Sequence, residues 1–229
     1  MQNNVKSGQA CAGWGVIFDV DGTMVDNAQY HQAAWIQLGA QYGKSITSQF
    51  YQKYIHAHTN DSIVRTLFGD VSDEMIAKIS NEKEIIYRES FRPVMKEIAG
   101  LTDLLKALKC KAVPCGAASN SPKANVDMVL DELNIRQYFE VVINNDQVAR
   151  GKPDPEILLT AAAKLGLNPT KCVVFEDSAS GFKAAQRAQM PYIAITAGAD
   201  GETLEFISGH VQYKDFLTIT PADLEKLLG

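Results

Sequence analysis

The chain has 229 residues, 46% of them apolar and 21% charged, which leaves room for one large domain or for one domain carrying a smaller insert and excludes a mostly disordered protein. Lys and Arg number 22 against 27 Asp and Glu, so the formal net charge is −5. With no basic cluster there is no face for nucleic acid or an anionic membrane, and a small-molecule ligand is expected.

The opening stretch MQNNVKSGQACAGWG lacks the apolar run of a secretory signal. No later segment reaches the roughly 18 apolar residues of a membrane span. The expectation is a cytoplasmic protein, acting as a monomer. Its cysteines, Cys11, Cys110, Cys115 and Cys172, form no CxxC pair, so neither a zinc knuckle nor a dithiol redox site is indicated. Cys110, Cys115 and Cys172 border or enter apolar runs and are expected as buried, reduced thiols.

Gly15–Phe18 reads as the first strand, apolar throughout, and leads straight into FDVDGTMVD. Asp19 and Asp21 lie two apart on an extended segment, so both carboxylates can point to one side. Two such groups at a strand end repel unless a cation lies between them, which implies a divalent metal. On its own such a pair is weak evidence, since acidic pairs are common in solvated turns after a strand. Against that reading, the residues before it look buried and present it at a sheet edge where ligands bind.

The next region, 27–93, has no convincing strand. It reads as three or four helical segments separated near 43–48, 56–60 and 69–73, with the last ended by Arg92-Pro93 because a residue before proline leaves the helical region. Inserted directly after the first strand, it is expected to be a cap. His31, Ala34, Trp35 and Leu38 share a helical stripe, as do Ile79, Lys83 and Ile86. His31 and Lys83 are thus placed in line with apolar neighbours, as packed side chains or as groups aimed at a site below. His56 and His58 have no third metal ligand at suitable spacing.

From Ile98 onward, apolar runs at 112–118, 141–143, 172–175 and 192–195 alternate with helical stripes through Ile98, Leu101, Leu105 and Leu108, then Val126 and Val129, then Leu158 and Ala161. Strands apolar on both faces and separated by helices imply a doubly wound parallel α/β sheet, Rossmann-like, with ligands beyond its carboxyl edge. Three runs end in polar groups: Ser119-Asn120-Ser121-Pro122, then RGKPDPE with Lys152, then Glu176-Asp177-Ser178. Each alone is more often a cap or a solvated turn. Together they set an acidic pair, a hydroxyl, a lysine and a second acidic pair at successive strand ends.

The ordered set DVDGT, ASNS, GKPDPE and FEDS resembles the four motifs of the haloacid dehalogenase superfamily of phosphotransferases, and the helical insert resembles its small α-helical cap. YHQAAW, GKPDPEILLTAAAKLG and FEDSASG are similar to the branch holding β-phosphoglucomutase and related sugar-phosphate phosphatases. The resemblance implies a core of 1–26 with 94–229 and a cap of 27–93. It implies Asp19 as nucleophile and Asp21 as acid and base. Mg2+ would be held by Asp19, the Asp21 carbonyl, Asp177 and Glu176, while Ser119, the backbone donor of Asn120 and Lys152 hold the phosphate. His31 and Lys83 match polar cap residues that face the site.

In the mutase, the loop after the second cap helix carries an arginine that grips the non-reacting phosphate; here it reads His56-Ala57-His58-Thr59-Asn60-Asp61, which weakens that reading. The expected function is a Mg2+-dependent phosphatase of a small phosphorylated metabolite, with a sugar phosphate as the favoured class. A β-phosphoglucomutase-type isomerase is the alternative, and a non-catalytic phosphate-binding protein a third.

Overall fold

The computed structural model describes residues 12–55, 59–198, 205, 207 and 209–229. Among them, six parallel strands form one sheet: β1 (Gly15–Phe18), β2 (Cys115–Ala118), β3 (Val141–Ile143), β4 (Cys172–Glu176), β5 (Tyr192–Ile195) and β6 (Gln212–Tyr213). Their order across the sheet is β3-β2-β1-β4-β5-β6. The chain therefore winds one way from β1 and resumes on the other side at β4, and the switch between these neighbours opens the crevice where such sheets hold ligands.

The strands are apolar on both sides because helices cover both faces. Alternate residues of one strand enter different cores. Val16, Phe18, Val173 and Phe175 pack with α5 (Leu101–Cys110), α6 (Lys123–Glu132) and α9 (Pro221–Lys226). Ile17 and Val174 pack with α7 (Glu156–Leu165) and α8 (Ala179–Arg187). On the first face Phe18 stacks on Phe175 at 4.9 Å between ring centres, and Phe216 meets Phe175 edge-on at 5.2 Å. This aromatic layer lies directly behind Asp19 and Glu176.

Between β1 and α5 come α1 (Ala28–Gln41), α2 (Ser48–Tyr54), α3 (Asn60–Phe68) and α4 (Asp73–Phe91). They enclose a separate apolar cluster of Trp35, Leu38, Ile46, Tyr51, Ile55, Ile63, Val64, Ile76 and Ile79. Thr47, Thr59 and Ser72 accept N–H bonds from the first turns of α2, α3 and α4, which explains where those helices start.

The structure departs from the sequence reading at several points. The second run begins its strand only at Cys115, because Ala112 turns left-handed (φ 53°) behind α5 and Pro114 cannot donate to a ladder. Ile98 precedes α5 rather than joining it. Arg92 keeps helical angles (φ −48°, ψ −46°) despite the following proline, and α4 tightens into a 3₁₀ turn, Arg92–Val94, in place of a clean stop. Strand β6 is only two residues long and leaves no periodic signal. Cys115 and Cys172 are buried, but Cys110 ends α5 on an exposed face. Cys11, His56 and His58 lie outside the described residues. Among the described residues no helix is long and apolar enough to cross a membrane.

Leu105 of α5 is fully buried against the sheet, whereas Leu159 of α7 is 37% exposed. Leu105→Ala is expected to cost about 2–5 kcal/mol in urea unfolding and Leu159→Ala less than about 1 kcal/mol. Equal losses would contradict the assignment of the first core.

Candidate active site

The ammonium of Lys152 occupies the centre of the site. It donates to Asp19 Oδ1 (2.6 Å) past the end of β1, to Glu176 Oε1 (2.6 Å) at the end of β4 and to the Ala118 carbonyl (2.9 Å) at the end of β2. All three of its hydrogens are thereby committed, with the side chain almost wholly buried. Its loop is fixed by Asn120, whose side-chain oxygen accepts the Lys152 N–H (2.8 Å) and whose amide donates to the Lys152 carbonyl (3.0 Å). A backbone donor is what the sequence reading expects of Asn120; its side chain turns out to clamp the lysine loop.

Glu176 is equally committed. Its second oxygen accepts the N–H groups of Asp177 (2.8 Å) and Ser178 (2.9 Å) and the Ser178 hydroxyl (3.0 Å) at the start of α8. A β-carbon at Gly181, one turn into that helix, would overlap this carboxylate, so the glycine makes the fit possible. Asp177 accepts from the Thr23 hydroxyl (3.2 Å). Asp19, Glu176 and Asp177 each offer an oxygen within 4.8 Å of the others.

Asp21 turns away from that cluster. Its carboxylate accepts from Asn27 (2.5 Å), the Ser121 hydroxyl (2.5 Å) and the Ser119 hydroxyl (3.2 Å), with His31 Nε2 at 3.7 Å. Its carboxylate is not among the oxygens that gather at Asp19, Glu176 and Asp177. His31 stacks on Tyr87 at 3.8 Å between ring centres, and its Nδ1 faces the Lys83 ammonium at 2.7 Å. An ammonium can only donate, so Nδ1 accepts and Nε2 carries the hydrogen that faces Asp21. Lys83 also donates to Glu84 (2.9 Å) and is buried beneath the rings of Trp35 and Tyr87. Its amino group is thus engaged inside the protein.

The electrostatics split the carboxylates. Burial pushes the Asp19 carboxyl up to about 8; the Lys152 charge opposes this, and the Glu176 and Asp21 charges add to it. Burial, then the charges of Glu176 and Asp19, raise Asp177 well above the ordinary range. For Lys152 burial works downward, but the Asp19 and Glu176 charges outweigh it and the ammonium is retained. For Asp21 burial works upward and is overcome by the bonds from His31, Ser121 and Asn27, which hold it ionised. Burial and then the Lys83 charge keep His31 low, so it is neutral. One ammonium faces three carboxylates in the first cluster. A hard oxygen donor set with that excess of negative charge fits a divalent cation such as Mg2+.

Sequence reasoning passed over Asn27, Ser121, Tyr87, Glu84 and Gly181. Asn27 reads as an ordinary helix cap, yet makes no side-chain cap bond and gives its amide to Asp21 and to Tyr87 Oη (2.6 Å). Ser121 stands in the quoted ASNS motif, and Gly181 in FEDSASG, so both were within reach. Tyr87 and Glu84 carried no signal beyond helix periodicity.

Residues 16–195 match the haloacid dehalogenase-like hydrolases. Over 195 residues the chain is 30% identical to the phosphorylated carbohydrates phosphatase of Thermotoga maritima, covering 82% of this chain and 88% of that protein. It is 29% identical over 192 residues to the β-phosphoglucomutase of Bacillus subtilis, covering 80% and 83%. Among solved structures, a HAD hydrolase of family IA, variant 3, from Entamoeba histolytica superposes with a TM-score of 0.86 at 28% identity, covering 94% of this chain and 99% of that one.

Gly22 adopts φ +83°, and a β-carbon there would overlap the Asp177 carboxylate. Gly22→Ala is expected to lower stability by about 1–3 kcal/mol in urea unfolding, through left-handed strain and displacement of Asp177. A variant as stable as the parent would show that the turn has no such constraint.

Proposed function

The chain belongs to the haloacid dehalogenase-like hydrolases, in a branch with β-phosphoglucomutase-like relatives, and on that premise we propose that it is a Mg2+-dependent phosphatase of a small phosphorylated metabolite, specifically a sugar phosphate. The observation that carries this reading is the Lys152 ammonium held between Asp19 and Glu176 with Asp21 next along the same turn. The names of the relatives support the substrate class: one is a phosphatase of phosphorylated carbohydrates, another a fructose-1-phosphate phosphatase of Escherichia coli.

In this proposal Asp19 attacks phosphorus in line and the ester P–O bond breaks, leaving phosphoryl on the Asp19 carboxylate. Asp21 relays the proton that a phosphomonoester monoanion brings, delivering it to the departing oxygen. In the second half a water attacks the aspartyl phosphate while Asp21 takes one of its protons, the P–O bond to Asp19 breaks, and Asp21 passes that proton to the phosphate, which leaves as dihydrogen phosphate. The ionised state of Asp21 suits this second task. The Lys152 charge draws in phosphate oxygens, its hydrogen on Asp19 turning to the phosphate as Asp19 turns to phosphorus, and the Ser119 hydroxyl, exchanging Asp21 for phosphate, holds another with the Asn120 N–H. Asp19 and Asp177, with the Asp21 carbonyl, hold the cation, and Glu176 backs them while anchored to Lys152 and α8. When bound, the cation neutralises phosphoryl charge and offsets the carboxylate repulsion. Residues 27–93 form the cap over a core of 1–26 and 94–229, and His31, neutral and hydrogen-bearing at Nε2, orients Asp21.

A second reading, an isomerase that returns the phosphoryl group to the sugar, is favoured by the mutase relative. The two separate on glucose 1-phosphate with Mg2+: a phosphatase releases inorganic phosphate, whereas a mutase yields glucose 6-phosphate. We expect phosphate release across a panel of sugar phosphates, and its loss in Asp19→Asn by more than about a thousandfold with the thermal melt unchanged. Turnover in Asp19→Asn within a few-fold of the parent would remove Asp19 from the reaction.

A further inference from the structure

A second polar cluster lies at the seam between α4 and α6, beyond the groups that meet a phosphate. Asn125 of α6 is fully buried. Its amide donates to Glu84 Oε2 (2.7 Å), and its carbonyl oxygen accepts from Arg88 Nη1 (2.8 Å). Glu84 and Arg88 stand one turn apart on α4, an anion and a cation on the same face. The orientation of the amide follows from chemistry: a guanidinium only donates and a carboxylate only accepts. Glu84 is otherwise filled, its other oxygen accepting from Lys83 (2.9 Å) and from Asn60 of α3 (2.8 Å). Burial pushes the Glu84 carboxyl up, but the Lys83 charge and the bonds from Asn60 and Asn125 outweigh it and keep it ionised.

Hydrogen bonds run from Asn125 to Glu84, Glu84 to Lys83 and Lys83 to His31, whose Nε2 then faces Asp21 at 3.7 Å. The segment that carries Asn125 also carries Ser119 and Ser121, which hold Asp21 from the core side. One stretch from Ser119 to Asn125 thus touches the acid directly and also grips the helix that positions the histidine above it. If α4 lifts from α6, Glu84 and Asn125 lose buried partners together and must be rewetted, which gives the contact two states with little between them.

We propose that Asn125 is a latch and positioning residue: it fastens α4 to the core and, through Glu84 and Lys83, sets His31 beside Asp21. The latch rests on the seam geometry, and its effect on turnover rests on the phosphatase reading.

The test is a charge exchange. In Asn125→Asp two carboxylates face each other across the seam. The double variant combines Glu84→Gln with Asn125→Asp. There the new amide at position 84 donates where the carboxylate accepted, and its oxygen still serves Lys83 and Asn60. The new carboxylate at position 125 takes that donor and still accepts from Arg88. Two readouts are taken on the full chain: hydrogen exchange of segments 73–91 and 123–132, and hydrolysis of para-nitrophenyl phosphate with Mg2+. The single variant is expected to exchange faster in both segments and to lose about tenfold in kcat with a smaller change in KM; the double variant is expected to recover both to within about threefold. Parent-like exchange in the single variant, or a double variant no closer to the parent than the single one, overturns the latch. Should the single variant fail to fold, the double variant decides alone: it must fold and exchange like the parent, and an unprotected α4 contradicts the proposal. A parent that hydrolyses no phosphomonoester would sink the phosphatase reading, while the exchange data would still decide the latch.

Discussion

One ammonium group ties the site together. Lys152 reaches the ends of β1, β2 and β4 with a single nitrogen, and each of its hydrogens bonds an oxygen from a different strand end. A buried charge survives only if it is paired and fully hydrogen-bonded. Three strands must therefore end at the same level, and the Lys152 loop, clamped by Asn120, must approach from the β2 side. Truncating the lysine would leave Asp19 and Glu176 buried without a counter-charge, which costs more than the pair itself contributes.

The same arithmetic of charge leaves the site with more carboxylates than cationic groups. Asp19, Glu176 and Asp177 cluster around one positive group, and burial with mutual repulsion drives two of them toward protonation. Asp21, two residues from Asp19, escapes this by facing the other way into neutral donors from Asn27, Ser119 and Ser121. One strand end therefore supplies two carboxylates in opposite electrostatic settings, and pairs of that kind divide the labour of covalent attack and proton transfer.

Legibility followed chemistry. The strands could be read because both their faces are buried and every position had to be apolar. The convergence of Asp19, Lys152, Glu176 and Asp177 could be read because, although each alone has a bland explanation, charged groups at successive apolar strand ends seldom coincide by accident. Asn27 could not, because a polar residue before a helix nearly always caps it, and only the fold shows its amide turned to Asp21. Lys83 was visible as an oddity on an apolar stripe, but nothing in that stripe names His31, from another helix, as its partner. The start of β2 depended on a left-handed Ala112, and β6 on pairing with β5, neither of which periodicity records. The seam between α4 and α6 joins Glu84 to Asn125, 41 positions apart and beyond any local pattern.

The central claim is that these strand ends make one cation site. Calorimetric titration of the chain with Mg2+ measures it directly. The account requires one ion bound per chain and binding abolished in Asp177→Asn, a substitution that keeps the shape of the side chain and removes its charge. Absence of binding in the parent, or undiminished binding in the variant, would contradict it.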